Sequence, residues 1–271
     1  MEKLQACGIH AASITYDAAE KLCAFGEAYH IAYPLLSDVG SHVIRAFGIF
    51  NTNVPADHKF MYGMPWPGNY LIARDGTVRD KLFLPDYQLR PSASAVVLRH
   101  FGERVGRASV DIDADVLRAT VSLSTDCCFP GQELGVLLQL RLRPGWHVYG
   151  EPLPDNYQSL ELLFDSPLVG EYSLVLPAPK PKRLQGLGET LPVYEGEVRA
   201  AGKLGVRWSP PRPAPFLEAL GKLIEPGAYT LKGELRFQAC SDDVCEAPQA
   251  IPFELPLQVE AGIPPAPTKP A

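Results

Sequence analysis

Two rhythms of apolar and polar positions divide the chain. Up to about residue 108, short apolar runs alternate with stretches in which apolar residues recur every three or four positions, the pattern of strands leading into helices. Met1 to Ala6 reads as the last turns of a helix closed by Gly8, a residue suited to a helix C-cap. Ile9–Ile14 follows as a short buried strand. Asp17, with Glu20 three residues on, forms a capping box for a helix over Ala18–Tyr29. His30–Pro34 reads as extended, and Ser37-Asp38 start a helix running to about Phe47. Tyr70–Ala73 and Val78–Phe83 flank Arg74-Asp75-Gly76-Thr77 as a hairpin, and Ala93–Phe101 reads as a final helix. The order is that of an α/β sheet fragment opening inside an element.

From Ser109 the rhythm changes to short runs of alternating polarity broken by Pro and Gly every ten to fifteen residues. Strands are predicted over Val116–Ser124, Leu134–Leu142, Trp146–Tyr149, Leu160–Phe164, Tyr172–Leu176, Val193–Val198, Lys203–Trp208, Gly227–Gln238 and Ala250–Val259. Beside a helical stretch near Ala214–Leu223, that spacing is the mark of an all-β sandwich. Proline usage sharpens the division, since only six of the 27 prolines lie within residues 1–108. The reading is two domains of different class. Residues 1–108 form an incomplete α/β domain, 109–260 an all-β sandwich, and 261–271 a Pro-rich tail expected to be disordered.

Composition narrows the chemistry. A net charge of −6 with scattered Lys and Arg argues against a nucleic-acid partner. No apolar run of about 18 residues offers a membrane span. Phosphate-binding loops, Ser-His-Asp arrangements and paired catalytic carboxylates are not apparent, and no cofactor or metal is called for. Asp111, Asp113 and Asp115 alternate in a way that tempts a calcium reading, but no Gly or closing Glu follows. A solvated linker is the plainer reading. Cys7 and Cys23 read as bland, buried or half-buried thiols. The adjacent Cys127 and Cys128 either form a vicinal disulfide or merely cluster at a strand end, the latter being the plainer reading.

The chemical interest lies in "LRFQACSDDVCEAPQAIPFEL". Cys240 ends one strand, Ser241-Asp242-Asp243-Val244 form a loop, and Cys245 opens the return. Two cysteines on the shoulders of a hairpin can stand at the roughly 5.5 Å Cα separation that suits a disulfide. Asp242 and Asp243 between them disfavour a thiolate, unlike a pair at a helix N-terminus. That suits a passive dithiol that passes electrons when a partner thiolate attacks its disulfide. A structural staple remains the alternative, and zinc is disfavoured because no second ligand pair stands at a recognisable spacing.

Two resemblances bear on this. "LQACGIHAASITYD", "YPLLSDVGSHVIRAFGIFN" and "MPWPGNYLIARDGTVRDKLF" resemble the AhpC/TSA redoxin branch of the thioredoxin superfamily, over residues 1–105. The resemblance implies that Pro67 is a cis-proline of the active-site region. It also implies that the reactive cysteine starts a helix preceding Met1, so the first half as given is expected to be catalytically empty. A coding sequence starting upstream is the expectation, and a degenerate half-domain the other reading. "PGWHVYGEPLPDNY", "LPVYEGEV" and "LRFQACSDDVCEAPQ" resemble the N-terminal, immunoglobulin-like domain of the DsbD family, over residues 115–260. There the hairpin cysteines shuttle electrons from a thioredoxin-like domain to periplasmic thiol proteins. Cys240 and Cys245 match them, with a spacing one residue shorter than in the best-known member. The family's aromatic pair beneath the cysteines falls on His147 and Tyr149, which share a face by period 2. Taken alone, His147 reads as a packed strand histidine. The protective cap loop falls near Lys182–Thr190, where Lys182, Arg183 and Leu184 stand instead of an acidic-aromatic signature.

Two functions are therefore expected. One is a thiol–disulfide oxidoreductase or redoxin-type antioxidant protein, with Cys240 and Cys245 as the exchanging pair and a thioredoxin-like or DsbD-like protein as partner. The other is a non-catalytic sandwich that binds a redox partner. An oxidising compartment, periplasm or cell envelope, suits either, although the N-terminus carries no signal-peptide pattern.

Overall fold

The computed structural model describes residues 2–6, 8–59, 61–83, 90–102, 104–184, 188–207 and 224–261. The chain divides into two compact units between Pro91 and Ser92.

In the first unit, α1 (Glu2–Ala6) closes at Gly8, whose φ of 70° lies in the left-handed region. The N–H groups of Gly8 and Ile9 donate back to the carbonyls of Gln5 and Leu4, as in a glycine-terminated helix. β1 (Ser13–Thr15), α2 (Ala19–Ala28) and β2 (Leu35–Ser37) form a parallel βαβ unit, with Ser13 registered on Leu35. Then come α3 (His42–Ala46), the antiparallel hairpin β3 (Asn69–Ile72) and β4 (Val78–Leu82), and the two-residue β5 (Arg90–Pro91).

Several expectations are corrected here. The strand read over Ile9–Ile14 lies instead at Ser13–Thr15. Asp17 does not cap α2: Ala18 holds that position, and the Asp17 carboxylate accepts from the Thr15 hydroxyl and Lys21. The helix read from Ser37 starts at His42, because Leu35–Ser37 is drawn into pairing with β1. Asp38 then accepts from the His42 and Ile44 N–H groups, each at 2.9 Å. Pro67 is trans, not cis. Its neighbours run as extended chain, with Phe50 bridged to Pro65 and the Trp66 N–H donating to Ile49 at 2.7 Å. The cis bond among the described residues is Glu151–Pro152. Cys23 is exposed, since α2 turns Leu22 inward, and Cys7 lies outside the described residues.

The second unit opens with α4 (Ala93–Phe101), capped by the Ser92 hydroxyl accepting from the Ala95 N–H at 3.1 Å. The sequence grouped this helix with the first half, but it belongs to the second compact unit. There follow β6 (Ser109–Asp113), β7 (Leu117–Leu123), β8 (Cys127–Cys128), β9 (Gln132–Leu142), β10 (His147–Tyr149) and β11 (Glu161–Phe164). Next come β12 (Val169–Val175), β13 (Lys180–Leu184), β14 (Glu189–Glu195) and β15 (Glu197–Val206). β16 (Gly227–Phe237), β17 (Ala239–Cys240) and β18 (Gln249–Val259) complete the set. α4 lies against β9 at Gly135, where a Cβ would stand 2.9 Å from Leu98 Cδ2 and 3.3 Å from Ser124 Cβ, so a side chain there would push Leu98 aside.

One antiparallel sheet runs β12-β15-β9-β7-β6, and a second sheet runs β11-β16-β18-β8, antiparallel except for β8, which joins β18 in parallel. Their inner faces supply one core by strict alternation: Leu134, Val136, Leu138 and Leu140 from β9, for example, with Leu231 and Leu235 from β16 and Leu255, Leu257 and Val259 from β18. Each such Val or Leu contributes about 1.5–3 kcal/mol by leaving water. The layout is the all-β sandwich the alternation predicted, of the immunoglobulin-like kind the resemblance implied. The "DIDADV" stretch is not a linker. It forms edge strand β6, burying Ile112, while Asp111 accepts from Thr120 at 2.6 Å and Asp113 pairs with Arg118 at 3.0 Å. The strand read over Val193–Val198 is two strands broken at Gly196, whose φ is 66°. The helix expected near Ala214–Leu223 and the tail beyond Ala261 lie outside the described residues. A third, smaller sheet runs β13-β14-β10-β17 and carries the cysteines of interest.

Candidate functional site

The three residues of β10 have strand neighbours on both edges. His147 stands opposite Glu195 and Cys240, Val148 opposite Tyr194 and Ala239, and Tyr149 opposite Val193. Period 2 then sorts the sheet. Val148, Tyr194 and Ala239 turn into the sandwich core. The other face gathers Tyr149, Leu184, Leu191, Val193 and Cys240 into a second small core, with Leu153 and Tyr157 packed against it.

Cys240 and Cys245 are joined as a disulfide with Cα atoms 4.1 Å apart. That is closer than the separation anticipated from sequence, and the hydrogen bonds explain it. The Glu246 N–H donates to Ala239 at 2.9 Å and the Ser241 N–H to Val244 at 2.7 Å. The cysteines thus occupy the non-hydrogen-bonded pair between two bonded ones, where antiparallel Cα atoms approach most closely. The loop is tightened further by the Ser241 hydroxyl, which accepts from the Asp243 and Val244 N–H groups.

The two sulfurs live in different surroundings. Cys240 is completely buried, whereas Cys245 is exposed beside Val244 at the hairpin tip. Tyr149, itself fully buried, donates its hydroxyl to Cys240 Sγ at 3.0 Å and lies 3.8 Å from Cys245 Sγ. Burial, with Tyr157 and Glu189 nearby, pushes the Tyr149 phenol up to about 12, so it stays a proton donor at neutral pH. Tyr157 stacks edge-on against Tyr149 at 5.1 Å and its own hydroxyl reaches Glu189 at 3.3 Å. His147 is edge-on to Tyr149 at 5.6 Å.

Charge at the tip is shared with the β13–β14 hairpin. Lys182 Nζ lies 2.8 Å from Glu195 and 3.4 Å from Asp242. One of the two loop carboxylates is thereby partly neutralised, which softens the penalty on a nearby thiolate that the sequence implied. Where an acidic-aromatic cap was sought, Leu184 and Leu191 instead pack over Tyr149 and Cys240. Residues 185–187 lie outside the described residues.

Of the residues singled out from sequence, Cys240, Cys245, His147, Tyr149, Asp242 and Asp243 therefore come together on one sheet face and its hairpin. Pro67 belongs to the first unit and is no part of this sheet. Sequence reasoning did not find Tyr157, Glu189, Leu191 or Glu195. The even spacing of Glu189, Leu191, Val193 and Glu195 was the signal available for the last three. Cys127 and Cys128 are free thiols in β8, which pairs with β18 in parallel, so they do cluster at a strand end. No group able to hold a metal ion occurs among the described residues. No helix among them is long and apolar enough to cross a membrane.

Comparison with known proteins gives two family matches. The model of the AhpC/TSA family matches residues 1–81, and that of the thiol:disulfide interchange protein DsbD, N-terminal, matches residues 115–256. No curated protein matches the chain. Among solved structures, the N-terminal periplasmic domain of ScsB from Proteus mirabilis is similar at 17% identity and a TM-score of 0.39. The match covers 56% of this chain and 51% of that one, so the chain spans about half the length of that relative. The reduced N-terminal domain of Neisseria meningitidis DsbD is similar at 20% identity and a TM-score of 0.27, covering 44% of this chain and 74% of that one.

Proposed function

Because the chain belongs to the family of the DsbD N-terminal domain, we propose that Cys240 and Cys245 pass electrons between thiol proteins by disulfide exchange. The redoxin match at residues 1–81 supports a thiol–disulfide redox role for the chain as a whole. The observation that carries the reading is the asymmetry of the pair: an exposed Cys245 bonded to a buried Cys240 that receives the Tyr149 hydroxyl.

In this reading a partner thiolate attacks Cys245 Sγ, the sulfur on the exposed residue of the pair. The Cys240–Cys245 bond breaks, its electron pair leaves on Cys240 Sγ, and a mixed disulfide with the partner remains on Cys245. Tyr149 already donates to the departing sulfur, and a hydrogen bond to a charged group is worth about 1.5–3 kcal/mol. A second thiolate of the partner then attacks its own sulfur in the mixed disulfide and releases Cys245. Lys182 holds Asp242 away from an unopposed repulsion of the new thiolate, while Asp243 remains the passive neighbour in the loop. A thioredoxin-like or DsbD-like protein fits as partner, since such proteins present an exposed thiolate beside a second thiol. The redoxin unit, with Pro67, is a donor or acceptor in the same chemistry. Periplasm or cell envelope is the compartment in which such a pair works.

The competing reading, a structural staple, draws on the complete burial of Cys240. Equilibration of the oxidised chain with a reduced thioredoxin-type protein, read by alkylation and mass, separates the two. A working pair exchanges to a measurable equilibrium. A staple stays oxidised, with a potential below about −300 mV, and that outcome sinks the proposal.

A further inference from the structure

One polar side chain of the site has no part in the exchange as described. His147 is completely buried, and among the described residues neither Nδ1 nor Nε2 has a hydrogen-bond partner. An unsatisfied buried polar group costs about 1–3 kcal/mol, and native folds carry few of them. This one stands directly opposite Cys240 in the β10–β17 register, so both side chains leave the same face of the sheet. Opposed Cβ atoms in such pairs are about 4.5–5.5 Å apart. The imidazole also lies edge-on to the ring whose hydroxyl touches Cys240 Sγ.

We propose that His147 carries the proton that Cys240 loses and regains during disulfide exchange. The proposal rests on the redox reading above. In the direction that regenerates the disulfide, Cys245 is first joined to a partner sulfur. The Cys240 thiol attacks Cys245 Sγ and a Cys240–Cys245 bond forms. The Cys245–partner bond breaks with its electron pair leaving on the partner thiolate, and the Cys240 proton passes to a lone pair of His147. In this step Cys240 is oxidised, the partner sulfur is reduced to its thiolate, and Cys245 exchanges one disulfide bond for another. Run backwards, the imidazolium returns its proton to Cys240 as a partner thiolate expels it.

The surroundings fit a base better than a structural ring. Cys240 is closed to solvent, so water cannot take its proton directly. Among the described residues, the charged or titratable groups that face His147 are Lys182 from β13, Glu195 from β14, Asp242 from the hairpin loop and Tyr149 from its own strand. Burial first, and Lys182 second, hold the imidazole below its ordinary value, against the pull of Glu195 and Asp242. It is therefore neutral at neutral pH and has a free lone pair. Glu195 and Asp242 are poorer candidates, since both are engaged by Lys182 and open to water.

The test mixes the reduced full chain with glutathione disulfide, quenches with acid, and reads by mass the lifetime of the glutathione adduct on Cys245. In His147→Phe, which keeps an aromatic ring on β10, resolution of the adduct is expected to slow about a hundredfold at pH 7. Its rate should then climb about tenfold per pH unit as the Cys240 thiol ionises unaided, whereas the unmodified chain levels off once the imidazole is neutral. An unchanged rate and pH profile in His147→Phe overturns the proposal and leaves the redox reading standing. Failure of the unmodified chain to form its disulfide from the adduct overturns both. Should the variant fold poorly, imidazole ¹⁵N shifts of the unmodified chain decide. The His147 titration midpoint is expected to move between the oxidised and reduced forms, and an identical midpoint in both overturns the assignment.

Discussion

The same sandwich holds two pairs of cysteines whose fates differ, and the sequence spacing would have ranked them wrongly. Cys127 and Cys128 are adjacent in β8, yet strand alternation turns Cys128 into the core and leaves Cys127 half-buried. Cys240 and Cys245 are five residues apart, yet a tight turn sets them directly opposite on one face. Burial pushes the Cys127 thiol up to about 11, with Glu260 adding to it, and the Cys128 thiol up to about 12. Among the described residues, no tyrosine hydroxyl donates to either β8 sulfur as Tyr149 does to Cys240. Geometry across a sheet, rather than distance along the chain, decides whether two thiols can trade electrons.

The sharpest break of this comparison is to remove one cysteine from each pair. Cys240→Ser is expected to abolish disulfide exchange with a thioredoxin-type donor, a loss beyond about a thousandfold, while Cys127→Ser leaves the rate unchanged. Equal losses in the two variants, by stopped-flow exchange, would erase the distinction. Next in size is Cys128→Ser, which places a hydroxyl in an apolar site and should cost about 1–3 kcal/mol in urea unfolding without altering exchange. Its pH dependence sharpens the point. Both β8 thiols keep protons in the folded state that the unfolded chain loses above roughly pH 8.5. Folding therefore binds protons in that range, and stability should fall as pH rises from there toward 11 and 12. Cys128→Ala should flatten that fall, and an unaltered slope would place the titrating groups elsewhere.

Smaller effects probe the hairpin pair alone. Tyr149→Phe keeps the ring and deletes the hydroxyl at Cys240 Sγ, and is expected to slow exchange about tenfold or somewhat more. A stability loss with no change in exchange rate would reduce Tyr149 to a packing role. Lys182→Met should change exchange by about threefold at most and lose that effect in high salt, because the pair with Asp242 is open to water. A salt-independent effect of larger size would mean that Lys182 acts on the sulfurs directly.

Much of the sandwich was legible because inward Leu and Val recur at every second position, as in Leu138 and Leu140 of β9 or Leu255, Leu257 and Val259 of β18, and Pro or Gly follows several of the strands. The hairpin was legible for the same reason, down to its loop residues Ser241–Val244. What escaped was set by neighbours distant in sequence. β6 carries Asp111 and Asp113 on its outer face, so its run resembles a solvated linker until Thr120 and Arg118 are seen opposite. β13, Lys-Pro-Lys-Arg-Leu, has too many charges and a proline to announce a strand, and its pairing with β14 supplies the order. The reach of Lys182 to Asp242 spans sixty residues of chain, and no local pattern encodes it. In the first unit, Asp17 offered a capping signal, but the nearer Lys21 and Thr15 captured its carboxylate. That the ring nitrogens of His147 find no partner among the described residues has a related reason: their isolation is a property of three strands, not of one.

The shortness of the loop between the two bonded cysteines has a thermodynamic side. A cross-link stabilises a fold chiefly by removing freedom from the unfolded chain, in proportion to the logarithm of the loop it closes. For a loop of five or six residues that amounts to about 2 kcal/mol. The turn and the flanking ladder already hold those residues in place when the bond is open. On the redox reading, the sandwich is expected to keep its shape when the bond opens, so that the bond can be spent and restored without the protein unfolding.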